Sequence, residues 1–62
     1  MRNNIRELRR NKGLTQAELA KKCKVTRQTI NAIENDKYDP TLQLAFKIAK
    51  VLGTTVDNVF QP

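Results

Sequence analysis

Two short stretches of helix-forming sequence, separated by only three residues, constrain this chain more than any other feature. The first would cover Gln16–Cys23 and the second Arg27–Asn35. Each follows a threonine, Thr15 or Thr26, whose hydroxyl can cap a helix N-terminus. Glu18 stands three residues after Thr15, which is the spacing of a capping box. Two helices joined by so short a turn must cross each other and share one apolar wedge.

Glycine, proline and threonine indicate the ends of three further helices. A first helix would cover residues 4–12 and stop at Gly13, which tolerates a left-handed C-terminal cap. A fourth would begin after Thr41, or alternatively with Asp39 as its cap and Pro40 as its first residue.

The fourth helix would end at Leu52, because Gly53 is suited to a left-handed cap. A last helical turn would begin at Thr54 or Thr55 and continue through Phe60. The sequence therefore predicts an all-α fold of five short helices with no strand.

Length and composition argue against catalysis and against a membrane segment. A chain of 62 residues has room for one domain, covering residues 1–62, with a modest core. It contains no histidine, no serine and one cysteine, Cys23, which we place in the core. We expect no enzyme activity, catalytic residue, cofactor or metal site. Without a long apolar segment or a signal peptide, the chain is expected to be cytoplasmic.

The positive charge is confined to one part of the chain. The net charge is +6, and residues 1–37 carry ten basic and four acidic side chains, whereas residues 38–62 carry two of each. This asymmetry indicates a polyanionic partner at one end of the fold, although solubilising charge would give the same composition.

The third helix has one apolar and one polar face. At about 100° per residue, Ile30 and Ile33 share one side, and Arg27, Gln28 and Asn31 share the other. Two helices with a short turn and a polar outer face are typical of the helix-turn-helix motif, whose second helix enters the DNA major groove. Periodicity alone leaves a generic helical packing module open.

Several separate blocks of residues resemble one family. They are Leu14–Ala20, Val25–Asn31, Ile33–Asn35, Pro40 and Ala49–Gly53. These blocks are similar to the lambda repressor and Cro family, also called the xenobiotic-response-element family of bacterial and phage regulators. The resemblance covers nearly the whole chain. It implies a five-helix DNA-binding domain of the stand-alone type, which acts as a dimeric repressor.

The resemblance also implies roles for single residues. The base-reading positions match Arg27, Gln28 and Asn31. The phosphate-facing positions match Gln16, Thr26 and Asn35, and Lys37 beyond the third helix would add another phosphate contact. Chemistry agrees with the first set, because Arg can pair with guanine through two hydrogen bonds and Gln or Asn can do so with adenine. A solvated helix face is the alternative interpretation.

Two further features follow from the family comparison. The family pairs an Arg of the first helix with the Glu that ends the third, here Arg9 and Glu34. Because Glu34 borders the core-facing side, we expect this pair to support the fold, whereas a surface pair would contribute little. Many relatives have Gly where this chain has Lys24, so the turn would be reshaped or strained by about 1 kcal/mol.

The C-terminal half has more apolar surface than one small core requires. A helical projection places Leu42 and Phe46 on the core side of the fourth helix, with other apolar residues beside them. The predicted homodimer interface is Leu44, Val51, Val56, Val59 and Phe60. The alternative is a chain that packs its own tail.

The sequence thus predicts a homodimeric repressor that binds a palindromic operator in double-stranded DNA, with half-sites about 34 Å apart. An antitoxin or adaptor whose main partner is a protein stays open, because the wide apolar flank of the fourth helix would allow docking. No contact with a membrane is expected.

Overall fold

A computed structural model describes residues 2–61, in which five helices are present. They are α1 (Ile5–Asn11), α2 (Gln16–Cys23), α3 (Arg27–Glu34), α4 (Leu42–Leu52) and α5 (Val56–Val59). The five-helix prediction is confirmed. The bounds agree with the sequence for α2 and α4 and differ by one or two residues elsewhere. Within residues 2–61, no helix is long and apolar enough to cross a membrane.

Threonine hydroxyls begin four of these helices, and each accepts a backbone N–H from the first turn. The four caps are Thr15, Thr26, Thr41 and Thr55. The capping box at α2 is complete, because the Glu18 carboxylate also accepts the N–H of Thr15 at 2.9 Å. That backbone hydrogen bond holds the pKa of Glu18 below its ordinary value. The caps settle the two open alternatives, since α4 begins after Thr41 and α5 after Thr55.

A short antiparallel strand pair joins the two ends of the described chain. It consists of β1 (Arg2–Asn3) and β2 (Phe60–Gln61), with Asn3 opposite Phe60. The prediction of no strand is therefore wrong. Two residues at each end are too few to show an alternating pattern, and only the tertiary fold brings them together. The pairing also places Asn3 against α3, where its side-chain N–H donates to the carbonyl of Ile33 at 2.8 Å.

One apolar core lies between the helices, and α2 packs against both α3 and α4. Its most buried side chains are Ile5, Leu19, Cys23, Ile30, Ile33, Ile48 and Val59. Cys23 is a core residue, as the sequence predicts. Burial raises the pKa of the Cys23 thiol, although the charge of Lys47 acts in the opposite direction, so the thiol is protonated at neutral pH.

The inward face of α4 differs from the prediction. Leu42 and Phe46 are 69% and 59% exposed, whereas Leu44 is buried together with Val59 and Phe60. This corrects the assignment of Leu44, Val59 and Phe60 to a dimer surface, because these side chains fill the core of their own chain. The other two predicted interface residues pack partly buried against that core; they are Val51 and Val56. The apolar arc of α4 is wider than the core, and only packing on α2 and α5 shows which part turns inward.

The turn between α2 and α3 contains the strain that the sequence indicates. Lys24 adopts φ 60° and ψ 40°, the left-handed conformation that favours glycine. The next N–H, that of Val25, donates to the carbonyl of Ala20 at 3.0 Å and closes the end of α2. The turn therefore keeps the shape that a glycine would adopt, and the Lys24 side chain adds strain to it.

Replacing Lys24 with Gly should stabilise the fold by about 1 kcal/mol relative to Lys24→Ala, because only glycine adopts the left-handed conformation without a Cβ penalty. Both variants remove the same charge, so Lys24→Ala is the matched control. Urea denaturation followed by circular dichroism measures the difference. Equal free energies of unfolding for the two variants would show that the turn is not strained.

Candidate nucleic-acid interface

The outer face of α3 presents polar side chains because the inner face is fixed. Ile30 and Ile33 are buried in the core, which sets the rotation of the helix about its axis. Arg27, Gln28 and Asn31 consequently lie on the solvent side and are exposed. All three predicted base-reading residues are therefore on one accessible surface.

Four polar residues of α2 and α3 line one shallow depression of about 160 Å³. They are Gln16, Arg27, Gln28 and Asn31. The side chains of Arg27 and Gln28 make no hydrogen bond or ion pair with any other residue between 2 and 61. Their guanidinium and amide groups can thus form hydrogen bonds to a ligand without first breaking contacts within the protein.

Asn31 differs from these two because its amide oxygen already accepts two hydrogen bonds. Gln16 Nε2 and Asn35 Nδ2 each donate to Asn31 Oδ1 at 3.2 Å. The Asn31 amino group is left as a free donor. The side chain is therefore held in place and offers a donor to a groove, rather than the donor and acceptor pair that adenine requires.

Most of the predicted phosphate-contacting side chains already form hydrogen bonds with other residues of the protein. The Thr26 hydroxyl caps α3 and lies 3.0 Å from the Thr29 hydroxyl. Asn35 is held at both ends of its amide, since its oxygen accepts from Arg6 Nη2 at 3.1 Å. Lys37, in contrast, is exposed in the segment after α3 and has no side-chain partner among residues 2–61.

Gln16 braces α3 through its side chain. Its Nε2 donates to Asn31 Oδ1 and to Glu34 Oε1, both at 3.2 Å. The backbone N–H groups of Gln16 and Ala17 begin α2, and neither has an acceptor within the described chain. The donors available to an anion here are backbone groups.

A buried carboxylate lies directly behind this surface. The side chain of Glu34 has no exposed area, and Arg9 Nε donates to its Oε2 at 2.9 Å. Arg9 also donates through Nη2 to Glu34 Oε1 at 3.3 Å and through Nη1 to the carbonyl of Leu14 at 2.8 Å. This is the ion pair that the sequence predicts, and it connects α1, α3 and the segment before α2.

Arg6 belongs to the same network, in addition to the pair predicted from the sequence. Its Nε lies 3.4 Å from Glu34 Oε1. The signal was available, because Arg6 and Arg9 are three residues apart and share a face of α1. Burial alone would raise the pKa of Glu34, but hydrogen bonds from Arg9 and Gln16 and the charge of Arg9 outweigh it, so the pKa lies below its ordinary value of 4.5. Glu34 is therefore ionised at neutral pH.

Comparison with known proteins finds close relatives over this same region. A family model described as helix-turn-helix matches residues 5–59, which include every residue of the α3 surface. An uncharacterised HTH-type transcriptional regulator of Methanocaldococcus jannaschii is 53% identical over 60 residues, which are 97% of this chain and 91% of that protein.

Solved DNA-binding domains have the same fold. The DNA-binding domain of the P22 c2 repressor superposes with a TM-score of 0.81 at 26% identity, over 86% of this chain and 70% of that one. SinR of Bacillus subtilis, a master regulator for biofilm formation solved in complex with DNA, superposes with a TM-score of 0.77 at 32% identity, over 84% of each chain.

Replacing Arg9 with Ala should lower the free energy of unfolding by about 3 kcal/mol, because it leaves the buried Glu34 carboxylate without its closest donor. The matched control is Arg10→Ala, which removes a neighbouring exposed arginine and should change stability by less than about 1 kcal/mol. Urea denaturation at neutral pH measures both. An unfolding midpoint that Arg9→Ala leaves unchanged would contradict a structural role for the pair.

Proposed function

Since this chain belongs to the helix-turn-helix family of transcriptional regulators, we propose that it represses transcription as a homodimer bound to a palindromic operator. The observation that carries the proposal is the exposed start of α3, where the side chains of Arg27 and Gln28 have no partner within residues 2–61. Unpartnered polar groups on a helix that fits the major groove are suited to base recognition.

Three side chains would read bases, each in a way that its present contacts allow. Arg27 would donate two hydrogen bonds to guanine, and Gln28 would pair with adenine through its free donor and acceptor. Asn31 would act as a donor only, because its oxygen is occupied by Gln16 and Asn35. Its targets would then be major-groove acceptors, which are purine N7, guanine O6 and thymine O4.

Phosphate contacts would come from the backbone and from Lys37 more than from the predicted side chains. The free N–H groups of Gln16 and Ala17 at the start of α2 form a site that favours an anion. Thr26 and Asn35 would contribute mainly by holding α3 in place. These contacts fix the position of the protein on DNA and make its affinity depend on salt.

A second copy of the chain is needed to read a full operator. The longest dimension of one chain is 25 Å, which is less than the distance of about 34 Å between successive major-groove faces. The surface that a partner copy would cover includes Leu42 and Phe46, the exposed apolar side chains of α4. Residues 38–62 carry no net charge, but Lys47 and Lys50 both lie on α4, so the contact would be centred on Leu42 and Phe46 with these lysines outside it.

We propose repression, rather than activation, as the mode of regulation. Occupation of a promoter requires only binding, which this domain would supply. Similar proteins include an immunity repressor of Bacillus phage phi105, which is 34% identical over 55 residues. The alternative of a module whose main partner is a protein has less support, because the free α3 side chains suit base edges.

The variant Gln28→Ala should weaken binding to a cognate operator by about 1 to 3 kcal/mol, because it removes a base contact. Binding to random duplex DNA should stay unchanged. Gln43→Ala, which removes an exposed glutamine on α4, is the matched control and should affect neither. Fluorescence anisotropy with both duplexes at one salt concentration measures the effect. An equal loss on operator and random DNA would remove Gln28 from the base-reading set.

A further inference from the structure

We propose a second anion site, away from the α3 surface, for a small molecule that carries two or more phosphate groups on an apolar or aromatic body. The site is an open cleft of about 640 Å³. Its charged lining consists of Lys12, Lys22, Lys24, Lys47 and Lys50. A nucleoside diphosphate or triphosphate is the chemical class that fits this description.

The cleft forms where the C-terminal ends of three helices meet. Lys12 follows α1, Lys22 and Lys24 end α2, and Lys50 lies in the last turn of α4. The Lys12 ammonium reaches the end of α4, since a Cβ placed on Gly53 would be 3.0 Å from its Nζ. Cations are favourable at helix C-termini, which explains how the fold accommodates so many lysines together.

These lysines have little compensating negative charge within residues 2–61. The lining contains no acidic residue, and none of the five forms an ion pair with another residue between 2 and 61. The nearest acid in sequence is Glu18, four residues before Lys22. Its carboxylate accepts the N–H of Thr15 and also interacts with the charge of Lys22, so Lys22 alone among the five is partly compensated. Each helix C-terminus offsets only about half a charge, so five lysines around one concave surface still produce a focused positive potential. An anion with several charges would relieve the repulsion between the lysines, whereas a monoanion would leave most of that repulsion in place.

The apolar residues of the cleft indicate the chemistry of the part of the ligand that carries the phosphates. Leu14 and Val51 line it between the lysines, and both are partly buried. Its volume lies in the range of about 300 to 1,000 Å³ that is typical of small-molecule sites. A purine or similar body would cover Leu14 and Val51 while its phosphates contact the surrounding ammonium groups.

The cleft is distinct from the DNA-reading surface. It shares no lining residue with the depression that contains Arg27 and Gln28. Gln16 begins α2 and Lys22 lies near its other end, about 9 Å along the helix axis. An occupant of the cleft would therefore contact the helix that braces α3 without competing for the groove. Binding of a ligand in this cleft does not require that the chain recognises an operator.

Two-dimensional amide NMR of the full chain tests the site with three probes: ADP without divalent cations, inorganic pyrophosphate and adenosine. We expect ADP to shift the amide signals of Lys12, Lys22, Lys47 and Val51 in a saturable way, and to leave those of Arg27 and Gln28 unchanged. Pyrophosphate should bind at least fivefold more weakly than ADP, and adenosine should not bind measurably.

The double variant Lys47→Gln with Lys50→Gln should weaken ADP binding at least tenfold. Lys21→Gln, which removes an exposed lysine of α2 outside the cleft lining, should not change it. Both variants change exposed side chains, so their circular dichroism spectra should match that of the parent chain. Shifts centred on α3, the same shifts with sodium chloride at equal ionic strength, or unchanged ADP affinity in the double variant would each overturn the proposal.

Discussion

Burial of the Glu34 carboxylate is the constraint on which the position of α3 depends. An ionised carboxylate with no exposed area would cost several kcal/mol without donors. Its donors come from Arg6 and Arg9 on α1 and from Gln16 on α2. A fold that satisfies all of them must hold three helices at fixed distances. The polar network on one side and the buried Ile30 on the other then determine which way α3 faces.

The same contacts extend to the surface that would meet DNA. Gln16 uses one amide nitrogen for both Glu34 and Asn31, so a shift of α3 would disturb the buried ion pair and the groove-facing residue together. Arg6 adds a second route through Asn35. Base recognition requires side chains that are held in place, and here the supporting residues supply that rigidity while Arg27 and Gln28 stay free.

Local signals in the sequence predict where the helices begin and end, but not how the helices pack. Thr15 with Glu18, and Gly53, act on their own backbone neighbours, so their roles can be predicted from spacing. The inward face of α4 could not be predicted in this way, because its apolar arc includes both Leu44 and Phe46. Only contacts with other helices distinguish the buried Leu44 from the exposed Phe46. The same limit applies to the strand pair and to the lysine cleft, which join residues far apart in the chain. The whole net positive charge lies before residue 38 in the sequence. That distribution could not show that the lysines of α4 complete the cleft.

We propose that two copies of this chain recognise a defined DNA sequence through the outer face of α3. Selection of bound sequences from a random duplex pool tests this proposal. We expect enrichment of an inverted repeat whose half-sites are centred about 34 Å apart, with purines at the positions that Arg27 and Gln28 contact. Enrichment of a single half-site would contradict the dimer, and a pool that stays random would contradict sequence-specific recognition itself.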